Sequence, residues 1–153
     1  MNAIELLEND HDKVEEIFEQ LEATTERAVK TRTELFAKLK QELDIHAHIE
    51  ETIFYPALKQ EAETRAITLE GFEEHHVMKI LLSEIAALPP DSEVWTAKFK
   101  VLKESVEHHV EEEEDDMFDK ARDVFNEEQL EAFGARMEAE KARFKPQAAA
   151  AKP

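Results

Sequence analysis

Apolar residues recur every three or four positions along nearly the whole chain, the spacing of one face of an α-helix rather than the alternation of a strand. The pattern predicts a first helix opening at Asn2, which can cap while Glu5 completes a capping box, and running through Leu7, His11, Val14, Phe18 and Leu21 to about Thr24. A second helix is expected from about Thr31 through Leu35, Leu39, Leu43, His46, Glu50 and Phe54. Pro56 should end or kink it, because proline lacks a backbone donor and its ring clashes with the preceding turn. A third carries Phe72, His75, Met78, Leu82 and Ile85 and stops before Pro89 and Pro90. Asp91 or Ser92 can cap a fourth, through Phe99, Leu102, Val106, Val110 and Met117. A shorter fifth is expected from Asn126, with Gln129 in the capping-box position, to about Phe144, and QAAAAKP reads as a low-complexity, frayed tail.

Four amphipathic helices of about 20 to 30 residues with short connections predict an all-α, up-down-up-down four-helix bundle with a short C-terminal fifth helix. The expected organisation is a bundle over residues 1–122, a helix packing on or extending it over 123–145, and the tail over 146–153.

The chain repeats itself, which matters because a duplicated pattern is seldom accidental. Setting LDIHAHIEETIFYP from Leu43 over VEHHVEEEEDDMFD from Val106 lays His46 on His109, Glu50 on Glu113, Glu51 on Glu114 and Phe54 on Met117, an offset of 63 (46 to 109). Setting LLENDHDKVEEIFEQL from Leu6 over EGFEEHHVMKILLSEI from Glu70 lays His11 on His75, Val14 on Met78 and Phe18 on Leu82, an offset of 64 (11 to 75). Each half thus offers a lone histidine on one helix and a His-x-x-x-Glu on the next.

Helical phase tests which of these residues face the core. With His109 at zero, Leu102, Val106, Met117, Phe99 and Val110 fall between about 20° and 100°, and Glu113 falls at about 40°, inside the stripe. His108 and Glu112, at about 260° and 300°, face water. With His46 at zero, Leu35, Leu39, Leu43, Ile53 and Phe54 span about 340° to 80° with Glu50 at about 40°, while His48, at about 200°, lies outside. His11 and His75 sit within their own apolar stripes, and His76 falls at the stripe's edge. On the same wheel Tyr55 lies on the far side from His46, so it and Trp95 are read as packing residues.

Composition narrows what such a core can be. In the 153-residue chain 37 acids stand against 19 bases, a formal charge of −18 that repels nucleic-acid phosphates and anionic lipid. No cysteine is present, so thiolate zinc sites, iron–sulfur clusters, disulfides and cysteine nucleophiles drop out together. The acidic N-terminus has no apolar run of signal length and no later segment approaches the roughly 20 apolar residues of a membrane helix, so a soluble, cytoplasmic protein is expected.

A carboxylate in an apolar interior costs several kcal/mol unless it is paired, protonated or bound to a cation. Glu50 and Glu113 are two, and no lysine or arginine shares their inward stripes. Imidazole and carboxylate without thiolate suit iron, and also manganese or zinc. Six donors from four helices fit two metals better than one, with His11, His46, His75, His109, Glu50 and Glu113 as the candidate ligands. The other acids of the EHHVEEEEDDMF run read as a solvated face, with Glu51 and Glu114, each one position past a candidate ligand, open to contact just outside it.

The order His11, His46 with Glu50, His75, His109 with Glu113, and phrases such as HIEETIFYPAL and EEHHVMKILLSEI, resemble the hemerythrin-like, or HHE cation-binding, domain family from Met1 to about Arg122. The resemblance implies a four-helix bundle around a non-haem di-iron centre, the four histidines as terminal ligands and the two glutamates as bridges. It differs from oxygen-carrying members, which have a fifth histidine where this chain has Lys79 and an aspartate at five-residue spacing where it has Glu113 at four. Two near-six-coordinate irons offer about twelve positions; four histidines and two bridging carboxylates fill about eight, and a shared oxo or hydroxo bridge about two more. About one position per iron then stays open, which favours reaction over carriage.

The expected function is a di-iron protein that binds or reacts with dioxygen, hydrogen peroxide or nitric oxide in sensing or stress defence. The alternative is an iron-buffering or iron-responsive module without turnover. A ferritin-like carboxylate enzyme fits less well, since that pattern uses Glu-x-x-His, the reverse order and a shorter gap.

Overall fold

The computed structural model describes the backbone of residues 1–150 and the side chains of residues 1–145. Among the described residues the regular structure is entirely helical, arranged as five rods with no strand. The first is α1 (Ala3–Glu22). The second joins α2 (Val29–Ile49), a π-helical turn at Glu50–Phe54, and α3 (Tyr55–Lys59). The third is α4 (Ala62–Ala86), and the fourth joins α5 (Glu93–Glu112), a second π-turn at Glu113–Met117, and α6 (Phe118–Val124). The fifth is α7 (Glu127–Ala150).

The caps follow the sequence. Glu5 donates its backbone N–H to Asn2 Oδ1 at 2.8 Å while Glu5 Oε1 accepts from the Asn2 backbone at 3.1 Å. Asn126 and Gln129 repeat the arrangement at 2.8 and 2.9 Å, and Ser92, rather than Asp91, caps α5 by accepting from the Trp95 backbone.

Two expectations change. Pro56 does not end its helix: it sits in the first turn of α3, directly after the π-turn, and the rod continues to Lys59. The ring needs no donor partner in a first turn. Proline is not the cause of the π-turn, because the second half forms one at the matching position with Asp119 in place of Pro56. Nor is the fifth helix short: α7 runs past Phe144 to Ala150, so residues 146–150 of the expected tail continue the helix, and 151–153 lie outside the described residues.

The apolar interior forms two clusters. One gathers Ile4, Leu7, Phe54, Tyr55, Phe118, Leu130 and Met137; the other gathers Val14, Phe18, Leu39, Trp95, Phe99 and Leu102. Along α1, His11 falls between Leu7 of the first cluster and Val14 of the second, so a polar layer separates the two. Beyond the second cluster, buried Arg32 donates to the Pro90 carbonyl at 2.8 Å and lies 4.6 Å over the Trp95 ring. That ties the start of α2 to the α4–α5 connection.

Helix α7 lies against α1, α2 and the first π-turn. The close approach depends on Gly134, where a Cβ would collide with the backbone of Met1 and Asn2. The chain's other glycine, Gly71, leaves room for the Tyr55 ring, which a Cβ would meet at 3.0 Å.

Candidate metal centre

The polar layer holds all six sequence-predicted residues. His11 comes from α1, His46 from α2, Glu50 from the first π-turn, His75 from α4, His109 from α5 and Glu113 from the second π-turn; all are buried and both glutamates are 0% exposed. Their donor atoms gather in two trios, His11 with His46 and Glu113, and Glu50 with His75 and His109, each within 4.8 Å of one another. Each trio therefore takes two histidines from one half and its carboxylate from the other.

Both glutamates also reach across. Glu113 Oε1 is 3.0 Å from His11 Nε2 and its Oε2 is 3.4 Å from His109 Nε2. Glu50 Oε1 is 3.1 Å from His46 Nε2 and 3.0 Å from His75 Nε2. A carboxylate lying between nitrogens of two different trios occupies a bridging position.

The layer fits a cation on its hydrogen bonding. Among the described residues, His46 Nε2 and both carboxylate oxygens of Glu50 are buried without a hydrogen-bond partner, even though His46 and Glu50 lie within 3.1 Å. The atoms converge, but not along donor directions. Each buried polar atom left unpaired costs about 1–3 kcal/mol, and more when charged. His75 Nε2 and His109 Nε2, by contrast, share a hydrogen bond at 3.2 Å.

The opposite ring nitrogens show why these atoms face inward. His11 Nδ1 bonds Glu114 at 2.6 Å, His46 Nδ1 bonds Asp10 at 3.0 Å, His75 Nδ1 bonds Glu51 at 2.9 Å and His109 Nδ1 bonds Glu74 at 2.6 Å. A carboxylate accepts from Nδ1–H, so that when the ring is neutral its lone pair is on Nε2, toward the centre. This is the outer support that metal-ligating histidines carry.

Charge follows the same geometry. Burial works against the imidazolium at His109, but Glu113 and Glu74 beside it hold its pKa up at about 10. His11, His46 and His75 are also raised against the same burial penalty, by Glu113, by Glu50 with Asp10, and by Glu50 with Glu51 respectively. Glu113 is held well below the usual carboxylate range: burial opposes this, and His109 and His11 beside it outweigh it. Without a metal, these neighbours favour protons on the rings of the anionic core.

Tyr55 departs from its expected packing role. Fully buried, it donates its hydroxyl to Glu113 Oε2 and lies 3.2 Å from His109 Nε2, with its ring stacked on His75. Burial first, then Glu113 and Glu50, push its pKa well above the phenol range, so it remains a donor. An ideal helix of 100° per residue puts Tyr55 opposite His46, but a π-turn holds one extra residue and so turns everything after it back by about 100°. The Tyr55 N–H reaching back to the Glu50 carbonyl is the mark of that insertion, and the Phe118 N–H reaches Glu113 in the same way.

Glu51 and Glu114, left open by the sequence, bond His75 and His11. Asp10 and Glu74 were missed, although a signal existed: each immediately precedes a core histidine, and the two align at the same offset of 64 (10 to 74). His108 is on the surface with Glu112, 3.2 Å away, and with Glu74 forms a partly exposed third cluster. Beside the four histidines lies a cavity of about 30 Å³, walled by Val14, Leu43, Met78, Leu82, Val106 and Val110. It has room for one or two molecules of water size. Among the described residues no helix is long and apolar enough to cross a membrane.

The chain is similar to known proteins over most of its length. The family model described as the hemerythrin HHE cation binding domain matches residues 2–121. The crystal structure of a hemerythrin HHE cation binding domain-containing protein from Mycobacterium kansasii superposes with a TM-score of 0.84 at 26% identity, covering 96% of this chain and 89% of that one. A DNA nickase from Nostoc sp. is 27% identical over 147 residues, 94% of this chain but 40% of the relative, so the chain spans about two fifths of that protein's length.

Proposed function

The chain belongs to the hemerythrin HHE cation-binding domain family, and from that premise we propose that it is a non-haem di-iron protein that reacts with a small oxidant: dioxygen, hydrogen peroxide or nitric oxide. In this reading His11, His46, His75 and His109 are terminal ligands, Glu50 and Glu113 are shared between the two irons, and the surrounding helices run up-down-up-down. The observation that carries it is the set of unpartnered atoms on Glu50 and His46 at the centre of a layer otherwise fully supported from outside. When bound, iron would supply the electron-transfer chemistry of the site.

The chain's own residues do the rest. Asp10, Glu51, Glu74 and Glu114 hold the four rings in one tautomer. Tyr55 keeps a proton against Glu113. The small, mostly apolar cavity beside the histidines offers space for a ligand of a few atoms. DNA nicking does not carry over in this proposal, because a net charge of −18 opposes a phosphate backbone.

Metal analysis of the purified protein should find two irons per chain. Anaerobically reduced protein mixed separately with dioxygen, peroxide and nitric oxide should change absorption rapidly with at least one. Inertness toward all three overturns the proposal.

A further inference from the structure

The duplicated halves supply the four outer carboxylates, but α7, which lies beyond the matched domain, supplies a charge to one of them. Lys141 Nζ bonds Asp10 Oδ1, and the other oxygen of the same carboxylate, Oδ2, accepts from His46 Nδ1 at 3.0 Å. Asp10 is 3% exposed, so the lysine meets it at the edge of the interior rather than in bulk water. Its counterpart Glu74 has no lysine or arginine partner among the described residues; its neighbours are His109, His108 and Glu112.

The second trio has a matching feature of different origin. Lys79 holds both oxygens of Glu51 at 3.0 and 2.9 Å, and Glu51 accepts from His75 Nδ1. Lys79 is not a product of the duplication either, since the residue 64 positions earlier is Glu15. Each trio therefore contains one histidine whose carboxylate is tied to a lysine, His46 in one and His75 in the other.

We infer that Lys141 is a positioning residue of the metal centre that sets the reduction potential of iron held by His46, acting through Asp10. The inference rests on the di-iron reading above. A carboxylate accepting from Nδ1–H increases the electron donation of the ring at Nε2. A lysine bonded to that carboxylate withdraws part of this donation and adds its own positive charge, and both effects disfavour the more oxidised, more positive metal. The extra helix is thus part of the site. Its docking does not depend on Lys141 alone: Gly134 packs on the N-terminal backbone, Asn2 bonds Glu127 at 3.0 Å and His48 bonds Glu140 at 2.8 Å.

The test compares the iron-loaded 153-residue chain carrying Lys141→Met, Lys141→Gln or Lys141→Arg with exposed Lys145→Met as a charge control. Potentiometric titration should show both the Met and Gln variants shifted to lower potential, the oxidised-to-reduced ratio at the wild-type midpoint rising on the order of tenfold. Lys141→Arg and Lys145→Met should titrate as wild type. In metal-free protein with 15N-labelled histidine, the Met and Gln changes should move the His46 Nδ1–H signal and leave that of His109 in place; this reading needs no iron and decides the matter for a variant that loads poorly. Wild-type potentials and an unmoved His46 signal in either variant, even with a lower melting temperature, reduce Lys141 to a structural clip and overturn the inference. A wild type that binds no iron instead overturns the di-iron reading, so the two failures are distinguishable.

Discussion

Tyr55 donates its hydroxyl to Glu113, whereas Phe118, its counterpart 63 positions on (55 to 118), has no hydroxyl, and the oxygens of Glu50 have no hydrogen-bond partner among the described residues. The two carboxylates match in register and burial, yet only Glu113 accepts from a phenol, while Glu50 lies between His46 Nε2 and His75 Nε2 at 3.1 and 3.0 Å. The asymmetry comes from a single oxygen atom placed by a π-turn.

Replacing Tyr55 with phenylalanine should therefore act on stability even without metal. A hydrogen bond to a charged, buried group contributes about 1.5–3 kcal/mol. Denaturant unfolding of Tyr55→Phe with chelator present should show a loss of that size, and an unchanged midpoint would mean that Glu113 does not depend on the phenol.

Neighbouring histidines should separate cleanly. His109 is 3% exposed and lies in a trio, while the His108 side chain is 65% exposed. If the centre holds iron as proposed, His109→Ala should lower bound metal and its ligand-to-metal absorption, and His108→Ala should retain both.

How much of this was legible in the sequence depends on what each residue's position rests on. His11, His46, His75, His109, Glu50 and Glu113 were found because they lie on regular α-helix or within its first irregular residue, where 100° per residue holds. Tyr55 was misplaced because the phase rule fails past an inserted residue, and no local feature marks the insertion: Pro56 follows one π-turn and Asp119 the other. Asp10 and Glu74 were within reach of the repeat, which aligns them. Lys141 was not, because its contact spans 131 positions and belongs to a helix with no counterpart in the duplication.

The missed acids should prove as necessary as the predicted ligands. Asp10→Asn and Glu74→Gln keep size but remove the charge that holds His46 and His109 by Nδ1. Loss of such outer partners typically costs about 10- to 100-fold in metal affinity. Competition against a chromophoric chelator should read this out, with the exposed Glu104→Gln as an unaffected control.

The glycines should tolerate no side chain, for different reasons. At Gly71 a methyl group presses on a Tyr55 ring already fixed by Glu113 and His75; at Gly134 it meets backbone that cannot rotate away. Overpacking of this kind costs about 1–3 kcal/mol. Gly134→Ala should also expose the α1–α7 contact, seen as faster proteolysis of α7, whereas Gly71→Ala should leave α7 protected.

Metal and protons compete for the same ring nitrogens, so pH should move the metal-free and loaded proteins in opposite directions. Without metal, the four histidines have folded pKa values above the unfolded value of about 6.5, that of His109 reaching about 10. A raised pKa means that the folded state binds the proton more tightly, so this stabilisation is complete below about pH 6.5 and is lost as pH rises through the folded values. Metal-free protein should accordingly weaken between about pH 7 and 10. In loaded protein the rings must give up those protons to coordinate, so metal affinity and the stability it adds should rise over the same interval, with protons released on binding. Denaturation midpoints against pH, with zinc or iron present and absent, should diverge as pH increases, and a pH indicator in weak buffer should register acid on metal addition. Parallel profiles without proton release would show that the histidines hold neither metal nor proton.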